Sequence, residues 1–131
     1  EGDAGLDLYA DQPFGVSSFG VTKVSTGIAV EIPYGYVGLV HPRSGLAAKH
    51  GITVVNAPGT IDAGYRGEVM VLLTKIGDGR PENDPMAYTL FQPRERIAQL
   101  VIQKVELPEV EEVEELSNSV RGAGGFGSTG S

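Results

Sequence analysis

Apolar and polar residues alternate in short runs along this chain, and Gly and Pro separate the runs. Leu6, Leu8 and Ala10 alternate with Asp7 and Tyr9, a period of two that predicts a strand. Residues 21–32 predict a second strand, with Gly27 as a bulge or a point of close approach. Pro33-Tyr34-Gly35 predicts a turn, and residues 36–41 a strand that Pro42 stops. Residues 52–55, 68–75, 86–91 and 96–105 predict four more strands, while 11–19 and 77–85 read as loops. The one helical piece is 44–49, about a turn and a half, with Ser44 as its N-cap. Residues 117–131 form a Gly/Ser-rich tail without periodicity. Many short strands with Gly/Pro turns predict an all-β sandwich or barrel, without an internal repeat.

Length and charge narrow this picture. A chain of 131 residues builds one core, not two. The net charge of −7 argues against a nucleic-acid surface. Six of the seventeen acids fall at Glu106, Glu109, Glu111, Glu112, Glu114 and Glu115, which leaves eleven against ten bases elsewhere. The body can therefore hold a positive pocket, and the acidic run reads as a solvated connector. No Cys is present, so no disulfide framework or thiolate chemistry is expected. No stretch approaches the roughly 20 apolar residues of a membrane helix, and no signal peptide opens the chain. The expectation is a soluble cytoplasmic protein with neither nucleic-acid nor membrane partners.

The densest candidate chemistry lies in NAPGTIDAGYRGEV, residues 56–69. Pro58-Gly59 and Ala63-Gly64 supply two turns, with Asp62 between them and Tyr65 just after. This predicts a hairpin holding a carboxylate beside an aromatic ring. Asp62 can work on water there while Tyr65 lies against a ring-shaped ligand. An Asp between glycine turns can equally be a turn-former.

Three other segments offer chemistry. Pro42-Arg43-Ser44-Gly45 puts a guanidinium, a hydroxyl and a flexible amide at a helix start, which makes either an anion site or merely a capped helix. Gln99 sits in the apolar RIAQLVI, as a satisfied core amide or a ligand contact. Arg96 opens the same strand. Residues 122–127 fit G-x-G-x-x-G, but too little chain follows to form a βαβ unit. Arg121 and Phe126 are unusual in a tail that serves solubility alone. His41 and His50 lack metal or triad spacing and are read as non-catalytic.

AGLDLYA (4–10), PRSGLA (42–47), the 56–69 stretch, RIAQLVI (96–102) and RGAGGFGSTG (121–130), in this order, closely resemble the five motifs of the trimeric dUTP diphosphatase (dUTPase) family. The ordered set, more than any one motif, carries the resemblance. It implies a distorted jelly-roll sandwich of the β-clip type with one short helix, assembled as a homotrimer that exchanges its C-terminal tail. Residues 1–116 would be the core and 117–131 a Gly-rich lid of the same domain. Family members usually have a further strand before the first motif, so a trimmed N-terminus is expected.

The implied reaction is Mg²⁺-dependent hydrolysis of dUTP to dUMP and pyrophosphate, which keeps uracil out of DNA and supplies dUMP for thymidylate synthesis. The resemblance assigns Asp62 as general base. Phosphate contacts fall to Arg43, Ser44, Gly45, Gln99, Arg121, Ser128 and Thr129. Base and sugar contacts fall to Asn56, Gly59, Thr60, Ile61, Tyr65, Met70 and Phe126, with Gly127 in the same tail pattern. Asp7 is the outer-sphere partner of the metal, through water, or a structural residue of its strand. A dCTP deaminase of the same fold is the alternative, but it would need a catalytic Glu where this chain has Leu72. A dUTP-sensing binding protein is the other.

Overall fold

The computed structural model describes residues 1–127 and 130, so the expected roles of Ser128 and Thr129 lie outside the described residues. Among the described residues, nine strands and one α-helix follow the order β1 Gly5–Tyr9, β2 Phe14–Val16, β3 Thr22–Ala29, β4 Tyr36–His41, α1 Ser44–His50, β5 Ile52–Val54, β6 Gly59–Ile61, β7 Glu68–Lys75, β8 Thr89–Phe91 and β9 Arg96–Lys104. They form a four-stranded sheet β1-β9-β4-β6, a three-stranded sheet β3-β7-β5 and a small β2-β8 pair. The described strand pairs are all antiparallel.

The core fills from both large sheets. Leu8, Val40, Ile61, Ile97, Ala98 and Leu100 face inward from the first. Val24, Ile52, Val54, Val69, Val71 and Leu73 face inward from the second. Period-two burial explains the strands: in β7, Val69, Val71 and Leu73 are buried while Met70, Leu72 and Thr74 are half-buried. The β2-β8 pair closes one side, where Phe14 and Phe91 stack at 4.7 Å with rings 3° from parallel.

The structure departs from the sequence reading at several places. Residues 11–19 are not all loop, because Phe14–Val16 pairs with β8. The strand expected at 86–91 shortens to Thr89–Phe91. A 3-10 turn at Pro85–Ala87 takes its start, capped by Asp84, whose carboxylate accepts from the Met86 N–H at 2.8 Å. Gly59 opens β6 rather than sitting in a turn. The helix cap is Arg43, in extended conformation and without a side-chain cap bond, so Ser44 is the first helical residue. Gly51 ends the helix in the left-handed region at φ 64°, as a C-terminal glycine should.

The predicted hairpin is the main correction. β6 pairs with β4, whereas β7 pairs with β3 and β5. Residues 62–67 are therefore a crossover from one sheet to the other. Gly64 does not take a positive φ, whereas Gly27 and Gly35 do, at 72° and 88°.

Gly38, buried in β4, has little room for a side chain. A Cβ there would lie 2.6 Å from Ile32 Cδ1 and 3.2 Å from both Ile61 and Leu100. Gly38→Val is expected to destabilise by about 1–3 kcal/mol through overpacking. A lower thermal midpoint with an unchanged far-UV spectrum checks this, and an unaltered midpoint would show that Ile32 simply moves aside.

Candidate active site

Residues 62–68 are held by bonds that begin within the loop itself. The Tyr65 N–H donates to the Asp62 carbonyl at 3.1 Å, closing a turn. Arg66 Nη1 donates to the Ala63 and Tyr65 carbonyls at 2.7 and 3.2 Å, and its Nη2 reaches Glu31 Oε1 at 3.1 Å. Tyr65 Oη donates to the Glu68 carbonyl at 2.8 Å, which lays the ring across Gly67. A Cβ at Gly67 would stand 2.5 Å from that hydroxyl and 2.7 Å from the ring. Glycine is required there by the ring, not by its own φ.

The Glu68 carboxylate reaches across to β3. It accepts from Ser25 Oγ and, at 2.8 Å, from the Gly27 N–H. The Ser25 bond, then the Gly27 amide, hold its carboxyl below the ordinary value of 4.5 against the cost of desolvation, and Lys23 assists least. The folded carboxyl thus releases its proton more readily than the unfolded one. Its stabilising contribution is complete above pH 4.5 and is lost as pH falls through the lower folded value.

Asp62 and Tyr65 face a common cavity of about 190 Å³, lined also by Thr60, Ile61, Glu68, Val69 and Met70. Five residues singled out in the sequence therefore converge: Thr60, Ile61, Asp62, Tyr65 and Met70. Asn56 and Gly59 do not line it. They sit one step back, where the Asn56 amide nitrogen would be 3.1 Å from a Cβ on Gly59.

A second cluster forms at the far end of the four-stranded sheet. Gln99 lies opposite Asp7 on one side and His41 on the other. Its Nε2 donates to the Pro42 carbonyl at 3.0 Å, and its Oε1 occupies the space that a Cβ on Gly5 would need. Asp7 faces two guanidiniums, Arg43 at 3.9 Å and Arg96 at 3.6 Å. Arg43, Ser44 and Gly45 follow at the helix start. The Arg43 carbonyl takes the Ala47 N–H, so the N–H groups of Ser44 and Gly45 have no intrahelical acceptor. Two arginines against one carboxylate leave this corner positive, which suits an anion.

One chain does not bring the two clusters together. β6 and β4 pair Gly59 with Val40 and Ile61 with Gly38, so Asp62 continues opposite Val37. His41 is four residues further along β4 and Arg43 six, or about 13 and 20 Å at ~3.3 Å per residue. The side chains of Val37, Leu39 and His41 share the outer face, with Val101 and Gln99 beside them on β9.

The described residues of the tail add nothing to either cluster within their own chain. From Glu106 to Ala123 every residue is exposed. Arg121 Nε donates to the Gly124 carbonyl at 2.7 Å, and Phe126 is fully exposed. Among the described residues no three His, Cys, Asp or Glu side chains group as a metal site. No helix among the described residues is long and apolar enough to cross a membrane.

The sequence reading missed Ser25, Glu31, Arg66 and Glu68. Their partners lie 35 to 43 residues away, and no local spacing announces such pairs.

Comparison with known proteins accords with this geometry. The family profile described as dUTPase matches residues 1–130. A deoxyuridine 5'-triphosphate nucleotidohydrolase of Rhodococcus erythropolis is 52% identical over 129 residues, covering 98% of this chain and 74% of that protein. A variant dUTPase of Staphylococcus bacteriophage 80alpha, solved with dUpNHpp, superposes with a TM-score of 0.87 at 32% identity, over 100% of this chain and 88% of that one. A variant dUTPase from phage phi11 of S. aureus, solved with a structural Mg(II) ion, gives 0.75 at 26% identity, over 90% and 88%. By its sequence and its β-sandwich fold alike, the chain belongs to the dUTPase family.

Proposed function

We propose that Asp62 is the general base that turns this family fold into a dUTP hydrolase, and that each site is assembled from several copies of the chain. The observation that carries the reading is the shared cavity of Asp62, Tyr65, Thr60, Ile61 and Met70. Asp62 is exposed at its mouth. Its carboxylate takes a proton from water and aims the oxygen at the α-phosphorus. The new P–O bond forms as the bond to the bridging oxygen breaks, and pyrophosphate leaves.

Selectivity follows from the same loop. Asn56 offers a donor and an acceptor to the uracil edge, Met70 adds main-chain groups, and cytosine presents the wrong pattern. Gly59, Thr60 and Ile61 form the adjoining wall. Tyr65 lies beneath the deoxyribose, where a 2′-hydroxyl would clash. Arg43, Ser44, Gly45 and Gln99 hold phosphates, and the tail brings Arg121 and Phe126 over the bound nucleotide. The deaminase alternative is not favoured, because Leu72, half-buried in β7, offers no carboxylate.

The residues present fit Mg²⁺ as an ion carried largely by the triphosphate. Asp7 is the one carboxylate in the anion-binding corner, already faced by two arginines, and it would contribute through water. When bound, the ion neutralises charge on the phosphates. The proposal places the enzyme in the cytoplasm.

Assembly from several chains is supported by the separation of the two clusters and by a tail that leaves its own body. In a closed threefold ring, the Asp7, Arg43 and Gln99 corner of one copy meets the Asp62 loop of a second and the tail of a third.

Pyrophosphate release assayed against dUTP, dCTP, dTTP and UTP with Mg²⁺ tests the reaction, with dUTP expected as the preferred substrate. Asp62→Asn is expected to lower turnover about 10²-fold or more while dUTP still binds. Unchanged turnover would put the base elsewhere. Co-expression of Asp62→Ala with a chain lacking residues 122–131 tests the shared site. Each variant alone is expected to be inactive, and random mixing in equal amounts should restore about a quarter of sites. Background activity in verified mixed oligomers would mean that loop and tail come from one chain.

A further inference from the structure

We propose that Glu68 is a positioning residue that sets the sugar selectivity of the site by fixing Tyr65 against a bulge in β3. The inference rests on the dUTP reading above. Two features of the fold lead to it.

The first is how little else holds the ring. Tyr65 is 45% exposed. Its hydroxyl is anchored on the Glu68 carbonyl, and its face rests on Gly67. The ring therefore sits wherever the backbone of Glu68 sits.

The second is that the ladder fails at this point. Met70 pairs with Ser25 and Glu68 with Ala29. One β7 residue, Val69, thus faces three β3 residues, Thr26, Gly27 and Ile28. A bulge of this size leaves main-chain groups without their ladder partners. Side chains supply the missing bonds. Thr26 Oγ1 donates to the Val69 carbonyl at 2.6 Å. Glu68 closes on Ser25 Oγ and the Gly27 N–H. Gly27 reaches this pose with φ 72°, and a Cβ there would meet the Asp11 carboxylate at 3.1–3.3 Å.

Glu68 therefore connects two things with one residue. Its side chain ties the first position of β7 to the bulge, and its carbonyl holds the ring. Loosening the first frees the second. The 2′-position is where this matters, because exclusion of a hydroxyl depends on a ring that does not retreat. Loss of the clamp should raise UTP turnover relative to dUTP more than it lowers dUTP turnover.

The test compares kcat/KM for dUTP and UTP in the full-length protein. Glu68→Ala is expected to reduce the dUTP/UTP ratio about tenfold, with a thermal midpoint close to that of the parent. Glu68→Gln keeps an oxygen that accepts from Ser25 and Gly27 and should restore most of the ratio. Tyr65→Phe removes the hydroxyl bond and should lower the ratio similarly. The double variant Glu68→Ala/Tyr65→Phe should then be no worse than either single change, because both break one connection. A ratio unchanged in Glu68→Ala, or effects that multiply in the double variant, would overturn the positioning role. A parent protein that leaves dUTP intact would instead overturn the enzymatic reading itself.

Discussion

A sheet has two faces, and the four-stranded sheet of this protein spends one on the core and the other on chemistry. Leu8, Ala98, Leu100, Val40 and Ile61 point inward and are buried. The alternate positions carry Asp7, Gln99 and His41 at one end. Because the period is two, a slip of one residue in any of these strands would bury the polar set and expose the core set. The same register that secures the core therefore secures the anion-binding corner. β9 is the pivot of this arrangement, since it pairs with both β1 and β4. The close approach at Gly38 leaves room for Ile32, from the segment after β3, to pack on this sheet.

The loop bearing Asp62 depends on a different constraint. It must leave one sheet and enter the other, so no ladder supports it from both sides. Its shape comes instead from charged side chains reaching β3 and the segment just after it. Arg66 holds Glu31, and Glu68 holds Ser25 and Gly27. These residues are exposed, and surface ion pairs add little to global stability. Their value is local, in placing a carboxylate and a ring without rigid strands beneath them.

Most of the strand layout was legible because burial follows period two. Residues 36–41 and 68–75 emerge with the bounds expected of them. The misses have particular causes. Phe14–Val16 is three residues long, too short for alternation to register, and exists because Phe14 stacks on Phe91. Gly59 looked like a turn residue because Pro58 precedes it. Its real function in the fold is to sit buried beside Val40 with the Asn56 amide close over it. The 62–67 crossover looked like a hairpin because turn residues flanked by apolar runs say nothing of which sheet each run joins. Within the candidate site, residue types that carry chemistry could be read directly. The braces Arg66 and Glu68 could not, since their partners are distant in sequence and ordinary in type.

The acidic connector shows the same limit from another side. Its charge suggested a solvated linker, and every residue from Glu106 onward through the run is indeed exposed. Yet Leu107, Val110, Val113 and Leu116 recur at every third position and are exposed as well. A three-residue repeat suits an extended left-handed strand with three residues per turn, in which those four side chains share one edge and the glutamates take the others. Leu107 lines a cavity with Tyr34, Val37 and Asp62, and the other three are exposed. Burying four apolar side chains favours association by roughly 1.5–3 kcal/mol each when fully enclosed. That is enough to offset much of the entropy lost in ordering an arm of this length. An acidic exterior would keep the arm in water, and the apolar edge would favour its docking on a surface. The charge of the segment and its hydrophobic spacing are thus complementary. Both suit the proposed shared site, in which the tail would complete a site on a neighbouring copy.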